Sequence, residues 1–288
     1  IVEDLGVPPY NVLAITFTNK AAEEMKNRLL AIVPGAADIW ISTFHSMCAR
    51  ILRRHAEKLG YSKNFTIYAQ DETERTVKQI VKDMGETGDN FWKTAVRCIS
   101  DAKNQGLTPE KYAEINSFIP DIETIERVFS AYEAKLKSNN AMDFDDLLLK
   151  TYDLFERCPD ILAYYGDRFR YIHVDEFQDT NVIQYGLVRM LAAAHGNIFV
   201  VGDEDQSIYG FRAAYPEALL NFTKEHPGAK ELVMDQNYRS NARIVAVADH
   251  FIQHNKLRHR KHMVPTKAEE EEIHYISLKN RSAQYTYL

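Results

Sequence analysis

The hydrophobic pattern at the start of the chain alternates between short apolar runs and stretches with helical periodicity. Two apolar runs, residues 11–17 and 38–43, predict buried strands. Residues 20–30 and 45–58 follow these runs and are rich in helix-forming residues. In the second helix the spacing directs three apolar side chains toward the core: Met47, Ile51 and Leu52. The β-α-β-α order predicts a parallel sheet.

Helical patterns dominate between about residues 61 and 140. Residues 71–74 (DETE) resemble a capping box that opens a helix. Residues 122–137 form a second clear helical stretch, and residues 143–155 form another. We therefore expect a helical subdomain inserted between strands of the sheet.

Strand patterns return in the second half of the chain, and two of them end in acidic residues. Residues 171–174 run directly into Asp175 and Glu176, and residues 198–201 run into the segment 202–206 (GDEDQ). Residues 181–194 between them predict a helix. Acids at the carboxyl ends of parallel strands meet at one edge of the sheet, where nucleotides bind. A last short strand is predicted at residues 231–234.

Composition narrows the class of protein. The chain has 288 residues, of which 45% are hydrophobic and 26% charged, as in soluble globular proteins with one large or two ordinary domains. It contains neither an apolar run long enough to span a membrane nor a signal-peptide pattern. Three isolated cysteines form neither a zinc pattern nor a disulfide framework, which favours reduced, buried thiols and a cytoplasmic location: Cys48, Cys98 and Cys158.

The net charge of −6 does not by itself suggest a nucleic-acid partner. Local charge differs from the total, however. Residues 42–58 carry Arg50, Arg53, Arg54 and Lys58 against one acid, and residues 256–262 are also basic. Basic runs are commonly solvated faces, so these segments support DNA binding without establishing it.

Asp175 and Glu176 are the leading candidates for catalysis. Hydrolysis of a nucleoside triphosphate requires charge neutralisation at the phosphates and an oriented water molecule. Mg²⁺ takes hard oxygen ligands, so one carboxylate can hold it while its neighbour activates the water. Solvated acids at a strand end are the alternative. The attached Gln178 and Asp179 and the second acid-tipped strand favour the catalytic interpretation.

Other polar and aromatic groups follow the predicted strands. Gln206 could sense a γ-phosphate, and Tyr209 and Phe211 could either stack on bases or pack in the core. Arg239 could pair with a phosphate, and Tyr238 could stack on a base or on adenine.

Hydroxyl and amide groups also stand before two predicted helices, at residues 16–20 and 42–45. Helix N-termini suit phosphate contacts. Thr43 could equally be an N-cap, which is the simpler interpretation. The phosphate-loop pattern G-x-x-x-x-G-K-[ST] does not occur in the sequence, and no Gly-Lys pair does either.

Six blocks occur in an order that resembles the UvrD/PcrA/Rep family of superfamily 1 DNA helicases. The resemblance extends from about residue 10 to residue 245. The blocks are residues 14–22 (AITFTNKAA), 41–46 (ISTFHS), 142–146 (MDFDD), 174–180 (VDEFQDT), 201–209 (VGDEDQSIY) and 236–240 (QNYRS).

The resemblance implies an α/β fold with a RecA-like P-loop NTPase parallel sheet, called domain 1A, and an inserted helical subdomain, 1B. Domain 1A would comprise residues 1–60 and 141–230. Subdomain 1B would comprise residues 61–140. Residues 231–288 would begin a second RecA-like domain, 2A.

The same resemblance implies an ATP-driven motor that moves 3′ to 5′ on single-stranded DNA and acts at single-strand/duplex junctions. Asp175 would hold Mg²⁺ and Glu176 would activate water. Gln206 and Arg239 would contact the γ-phosphate, and Tyr238 would stack on adenine. The DNA track would include Phe17, Asn19, Thr43, His45, Tyr209 and Phe211.

The sequence departs from the family pattern in several places. The phosphate loop is expected upstream of Ile1, and the second RecA-like domain has barely begun at Leu288. Phe211 stands where tryptophan is common, and Ala213 where glycine is common. Because the phosphate loop and a later arginine are absent, we expect little ATP hydrolysis from the chain by itself.

Two alternatives remain open. One is a helicase–nuclease subunit of the AddA/RecB type, which a C-terminal nuclease domain would distinguish. The other is a DNA-binding scaffold on a motor that no longer hydrolyses ATP. The intact set of Asp175, Glu176, Gln206 and Arg239 argues against the scaffold.

Overall fold

The computed structural model describes residues 1–33, 35–86, 88, 90–207, 215, 217–268 and 272–287. The chain forms two compact units, Ile1–Leu219 and Leu220–Leu288.

The described residues of the first unit form the strands β1 (Val12–Thr16), β2 (Trp40–Thr43), β3 (Thr66–Ile67), β4 (Ala141–Met142), β5 (Tyr171–Val174) and β6 (Ile198–Val200). Its helices are α1 (Val2–Leu5), α2 (Asn19–Ile32), α3 (Phe44–His55), α4 (Gln70–Asp83), α5 (Phe91–Asn104), α6 (Pro109–Ile115), α7 (Ile122–Ser138), α8 (Phe144–Arg157), α9 (Pro159–Arg168), α10 (Val182–Ala192) and α11 (Glu217–Leu220), which reaches the boundary with the second unit.

The central sheet is parallel, with strand order β2-β1-β5-β6. Every residue of β1 is buried, as expected for a strand covered on both faces. Ile15 pairs in register with Val174, which pairs with Val200. The predicted α/β class with a parallel sheet is therefore confirmed. All four carboxyl ends lie at one edge of this sheet.

Helices α4 to α7 come after β3 and before β4 in the sequence, and they pack around an apolar core of their own. The paired β3 and β4 hold the entry and exit of this helical insertion side by side. The largest buried side chains of its core include Phe129 and Tyr132, with Trp92 partly buried against them. Residues 70–138 thus have an apolar core that is separate from the central sheet.

A buried ion cluster joins the insertion to α8. The Lys103 side chain is inaccessible, and its Nζ lies 2.7 Å from Glu133 Oε1, 2.8 Å from Asp143 Oδ2 and 3.0 Å from Asp146 Oδ1. The Tyr132 hydroxyl also donates to Asp143 Oδ2, at 3.0 Å. Because a buried charge requires partners, this cluster specifies how α5, α7 and α8 pack.

A second connection links α5 to the segment after β5. Asn181 Nδ2 donates to Asn104 Oδ1 at 2.6 Å, and Asn104 Nδ2 donates to Asp145 Oδ1 at 3.0 Å. Just beyond α5, Gly106 has φ +70°, and an added Cβ would lie 2.9 Å from Ile183 Cδ1. Glycine therefore permits both the left-handed turn and the close approach to α10.

The second unit contains α12 (Phe222–Glu225), β7 (Gln236–Asn237), α13 (Ala242–Ile252), β8 (Val264–Pro265) and α14 (Arg281–Tyr287). β7 and β8 pair in parallel. The Asp249 carboxylate ties α13 to the residues before β8, because it accepts from Met263 N at 3.1 Å and contacts His262 Nδ1 at 2.9 Å.

Three local predictions require correction. Residues 231–234 are not a strand, because they pair with no strand among the described residues, and Met234 is 84% exposed. The helix predicted from residue 71 begins at Gln70; its N-cap is Ala69, whose N–H donates to Glu72 Oε2 at 2.9 Å. Cys48 and Cys98 are buried free thiols, whereas Cys158 is only half-buried.

Candidate nucleotide and DNA site

Asp175 and Glu176 lie at the carboxyl end of β5. The Asp175 N–H donates to Ile15 O at 2.9 Å, which continues the β1–β5 pairing to the acidic pair. Glu176 has φ +51°, a left-handed conformation that non-glycine residues rarely adopt. Such strain persists where surrounding contacts maintain it, and it is concentrated at functional sites.

The buried side chain of Gln178 connects the ends of β5 and β6. Its Nε2 donates to Glu176 Oε2 at 2.8 Å, and its Oε1 accepts from Asp203 N at 3.0 Å. Asp203 Oδ2 in turn accepts from Gln206 Nε2 at 2.8 Å. Glu176 and Gln206 therefore belong to one hydrogen-bonded chain, although they follow different strands.

The two carboxylates after β5 have different surroundings. Asp175 is half-buried and Glu176 is exposed. Burial raises the pKa of Asp175, and the negative charge of Glu176 raises it further, while the Glu176 N–H and the Thr16 hydroxyl lower it. A bound cation beside Asp175 would relieve this unfavourable burial of negative charge.

The residues present fit Mg²⁺ in their donor chemistry. Asp175 is one of the residues that line a cavity of about 680 Å³, together with Ala14, Val174 and Phe199. After β6, the carboxylates of residues 203–205 lie within 4.8 Å of one another. Hard oxygen ligands are those that Mg²⁺ selects, and it retains waters for the remaining positions.

A second group of polar side chains lies at the ends of β1 and β2. Thr43 is the N-cap of α3: its Oγ1 accepts from Ser46 N at 3.2 Å and lies 3.0 Å from Ser46 Oγ. Both hydroxyls reach Asn19 Oδ1 at 3.5 Å. The N-cap interpretation of Thr43 is therefore confirmed. The N-termini of α2 and α3 thus lie side by side at this edge.

His45 and Phe144 form an aromatic pair beside that edge. Their ring centroids are 5.8 Å apart, and the planes are inclined by 67°. Burial lowers the pKa of His45, which favours the neutral imidazole. Phe144 is 51% exposed although it opens α8. Sequence reasoning missed Phe144 as a site residue; its place within the block at residues 142–146 was the available signal.

Five further residues were predicted for the site: Phe17, Tyr209, Phe211, Tyr238 and Arg239. Phe17, half-buried, directly follows β1, whereas Tyr209 and Phe211 lie outside the described residues. Tyr238 and Arg239 belong to the second unit. Tyr238 is 71% exposed and its hydroxyl donates to Gln236 Oε1 at 3.2 Å; Arg239 O accepts from Lys267 Nζ at 2.9 Å.

Comparison with known protein families provides the decisive observation. The model of the UvrD/REP helicase N-terminal domain matches residues 1–227. The chain belongs to the UvrD/Rep helicase family. The parallel sheet and the acid-tipped strands are consistent with the N-terminal domain of UvrD/Rep helicases.

Curated relatives of this UvrD/Rep family member include helicases named PcrA. The chain is 44% identical over 280 residues to the ATP-dependent DNA helicase PcrA of Leuconostoc citreum, covering 96% of the chain and 37% of that relative. It is also 44% identical to PcrA of Staphylococcus aureus (strain Mu50) over 277 residues. The identity to PcrA of Staphylococcus epidermidis is 44% over 278 residues. Each of these two matches covers 96% of the chain and 38% of the relative. The chain thus spans less than two fifths of these relatives' length.

Among the helices that the structure describes in this UvrD/Rep family member, none is long and apolar enough to cross a membrane.

Proposed function

We propose that this chain is the N-terminal motor portion of a longer ATP-dependent helicase that moves 3′ to 5′ on single-stranded DNA in repair or replication. The observation that carries the proposal is the hydrogen-bonded chain from Glu176 through Gln178 and Asp203 to Gln206. It joins the candidate base to the candidate γ-phosphate sensor. Family membership and the PcrA names of the relatives support the same activity.

On the nucleotide side, Asp175 would hold Mg²⁺, which when bound would neutralise phosphate charge. Glu176 orients and deprotonates the attacking water. Its hydrogen bond from Gln178 leaves one carboxylate oxygen for that water. Gln206 and Arg239 contact the γ-phosphate, and Tyr238 stacks on adenine.

On the DNA side, the substrate is single-stranded DNA and its junction with a duplex. Asn19, Thr43 and His45 lie along the sugar-phosphate backbone, where helix N-termini favour anions. Phe17, Tyr209 and Phe211 provide aromatic surfaces for bases. We add Phe144 to this set, because its exposed ring beside His45 suits base stacking.

We propose the same division into domains that the resemblance implies. Residues 1–60 and 141–230 form the motor domain 1A, and residues 61–140 form the helical subdomain 1B. The separate apolar core of α4 to α7 supports this division. Residues 231–288 begin domain 2A, and the protein works in the cytoplasm.

The test is Glu176→Gln in the full-length helicase that we propose contains this chain. We expect loss of ATP turnover with nucleotide affinity retained, because the amide cannot accept a proton but keeps the size of the side chain. Exposed Glu123→Gln, in α7 of the helical insertion, is the matched control. ATP turnover at the level of the unmodified enzyme in Glu176→Gln would refute the assignment of the base. Single-strand affinity without any ATPase in the unmodified protein would favour the scaffold alternative.

A further inference from the structure

Two guanidinium groups cover the indole ring of Trp40 at the amino end of the central sheet. The Arg50 guanidinium carbon lies 4.3 Å from the ring centroid, and that of Arg168 lies 5.5 Å away. The indole Nε1 donates to Ser42 Oγ at 3.2 Å, which fixes the ring. Stacking on an aromatic face orients a guanidinium without neutralising its charge.

Four cations of α3, the turn that follows it and α9 have no acidic partner within the described part of the chain. Among the described residues, Arg50, Arg54, Lys58 and Arg168 form no ion pair. Arg168 Nε is buried without a hydrogen-bond partner within the described part of the chain. By contrast, the neighbouring Arg53 is occupied, because it donates to the carbonyl oxygens of residues 63 and 65.

The positive charges affect a neighbouring histidine. The pKa of His55 is lowered by burial and by the charges of Arg54, Lys58 and Lys63, while Asp160 raises it. Lys63 itself pairs with Glu57 at 3.5 Å. The surface thus retains excess positive charge even though the whole chain carries −6.

This surface lies away from the edge described above. α3 starts next to Thr43 at the carboxyl end of β2 and runs back toward the amino end, where Trp40 lies. With a rise of about 1.5 Å per residue, Arg54 lies about 15 Å along the helix from Phe44. The candidate DNA contacts Thr43 and His45 thus lie at the start of α3, whereas Arg54 lies near its end.

We propose that Arg50, Arg54, Lys58 and Arg168 form a second nucleic-acid contact, which binds the sugar-phosphate backbone without reading sequence. We call it the amino-end cationic surface. Arg50 and Arg54 have i, i+4 spacing on α3, so they lie about one helical turn apart on one face, and Lys58 lies in the 3-10 turn that follows the helix. Guanidinium forks pair with phosphate oxygens in bidentate geometry.

A nucleic-acid backbone fits this surface better than an acidic peptide does. A set of cations without neutralising acids suits a regularly charged polymer, whereas a peptide-binding groove needs apolar pockets. The half-buried Arg168 and the exposed Arg50 both lie over the ring of Trp40, so charge is held at the surface before any ligand arrives.

The test measures binding of the 288-residue chain to a fluorescent 20-nucleotide single strand and to a 20-base-pair duplex by anisotropy at several salt concentrations. The test variant is Arg50→Gln/Arg54→Gln/Lys58→Gln. The control, Arg28→Gln/Arg75→Gln/Lys111→Gln, removes the same charge from exposed residues that are already paired within their own helices. Unchanged thermal unfolding and circular dichroism establish that each variant is folded.

We expect the test variant to bind at least about 10-fold more weakly at low salt. The slope of log K against log salt should become shallower by about 2, since each lost phosphate contact removes about 0.7 to 0.9. The control should differ from the unmodified chain by much less. The same loss should persist in a Phe144→Ala background, which separates this surface from the proposed DNA track.

Equal binding by the test and control variants would overturn the proposal. Disappearance of the effect in the Phe144→Ala background would also overturn it, because the cations would then act through the track. If the test variant lost affinity for a poly-glutamate peptide but not for either oligonucleotide, the surface would be a protein contact instead. Failure of the proposed ATPase alone would leave these measurements unaffected.

Discussion

The Gln178 side-chain amide donates a 2.8 Å hydrogen bond to the Glu176 carboxylate. Its other end accepts from Asp203 N at 3.0 Å, so one buried side chain spans the gap between two strand ends. The Glu176 backbone is in a strained conformation, and its side chain is exposed. The hydrogen bond from Gln178 restricts the position of its carboxylate. Gln178 is therefore a positioning residue for the proposed base.

We predict that Gln178→Ala in the full-length helicase reduces kcat for ATP hydrolysis by up to about 10²-fold, because a misplaced carboxylate no longer aligns the water. Nucleotide affinity should change little. Gly202→Ala should act in the same direction, since an added Cβ would lie 2.8 Å from Gln178 Oε1. Steady-state kinetics measure both. An unchanged kcat in both variants would show that Glu176 needs no such restraint.

The exposed ring of Phe144 predicts a contribution to DNA affinity. Phe144→Ala should weaken single-strand binding by about 1–3 kcal/mol, the range for loss of one stacking interaction with a base. Phe118→Ala is the matched control, because Phe118 is 80% exposed and lies between α6 and α7 of the insertion. Fluorescence anisotropy with a short oligonucleotide measures the difference. Equal affinities of the two variants would contradict the stacking role.

The buried ion cluster predicts a large loss of stability on removal of its cation. Lys103→Met should lower the free energy of unfolding by about 3–5 kcal/mol, because Glu133, Asp143 and Asp146 would remain buried without their main partner. Exposed Lys111→Met should have little effect. Denaturant unfolding measures both.

The same variant should regain part of its stability at lower pH. Burial and the charge of Asp143 already raise the pKa of Asp146 to about 7. A carboxyl group whose pKa is raised by folding stabilises the folded state most when it is protonated, so stability falls as pH rises toward that pKa. A Lys103→Met chain that is no more stable at pH 6 than at pH 8, relative to the unmodified chain, would contradict this account.

For the His45 side chain we predict that stability depends on pH in the opposite direction. Burial lowers its pKa in the folded protein, so the folded state binds fewer protons than the unfolded state. Its contribution to stability is present above the unfolded pKa of about 6.5 and decreases as pH falls, by at most about 1.4 kcal/mol per pH unit. His45→Gln should therefore lose less stability between pH 7.5 and 5.5 than the unmodified chain. Exposed His274→Gln provides the control, and a loss equal to that control's would refute the prediction.

The hydrophobic pattern of the sequence was sufficient to predict the central sheet. The apolar runs that end near Thr16, Thr43 and Glu176 form neighbouring strands, and their shared edge follows from parallel pairing. Residues 231–234 have the same apolar character, but no strand pairs with them among the described residues. Apolar content predicts burial only where a partner element exists.

The contacts between distant residues were not accessible from the sequence. Phe144 lies beside His45 although they are 99 positions apart, since α3 and α8 pack together. The partners of Lys103 come from two other helices, and the sequence alone gives no distance between them. The bridge through Gln178 likewise depends on the spacing of the β5 and β6 ends.

The bond between Asn181 and Asn104 has a structural consequence. Asn181 lies five residues after Glu176 and begins α10, while Asn104 ends α5 of the helical insertion. Through Asn104, the segment after β5 is hydrogen-bonded to the end of α5, and through Asp145 to the start of α8, where Phe144 lies. Two side-chain hydrogen bonds thus connect the region of the acidic strand end to the region of the aromatic pair.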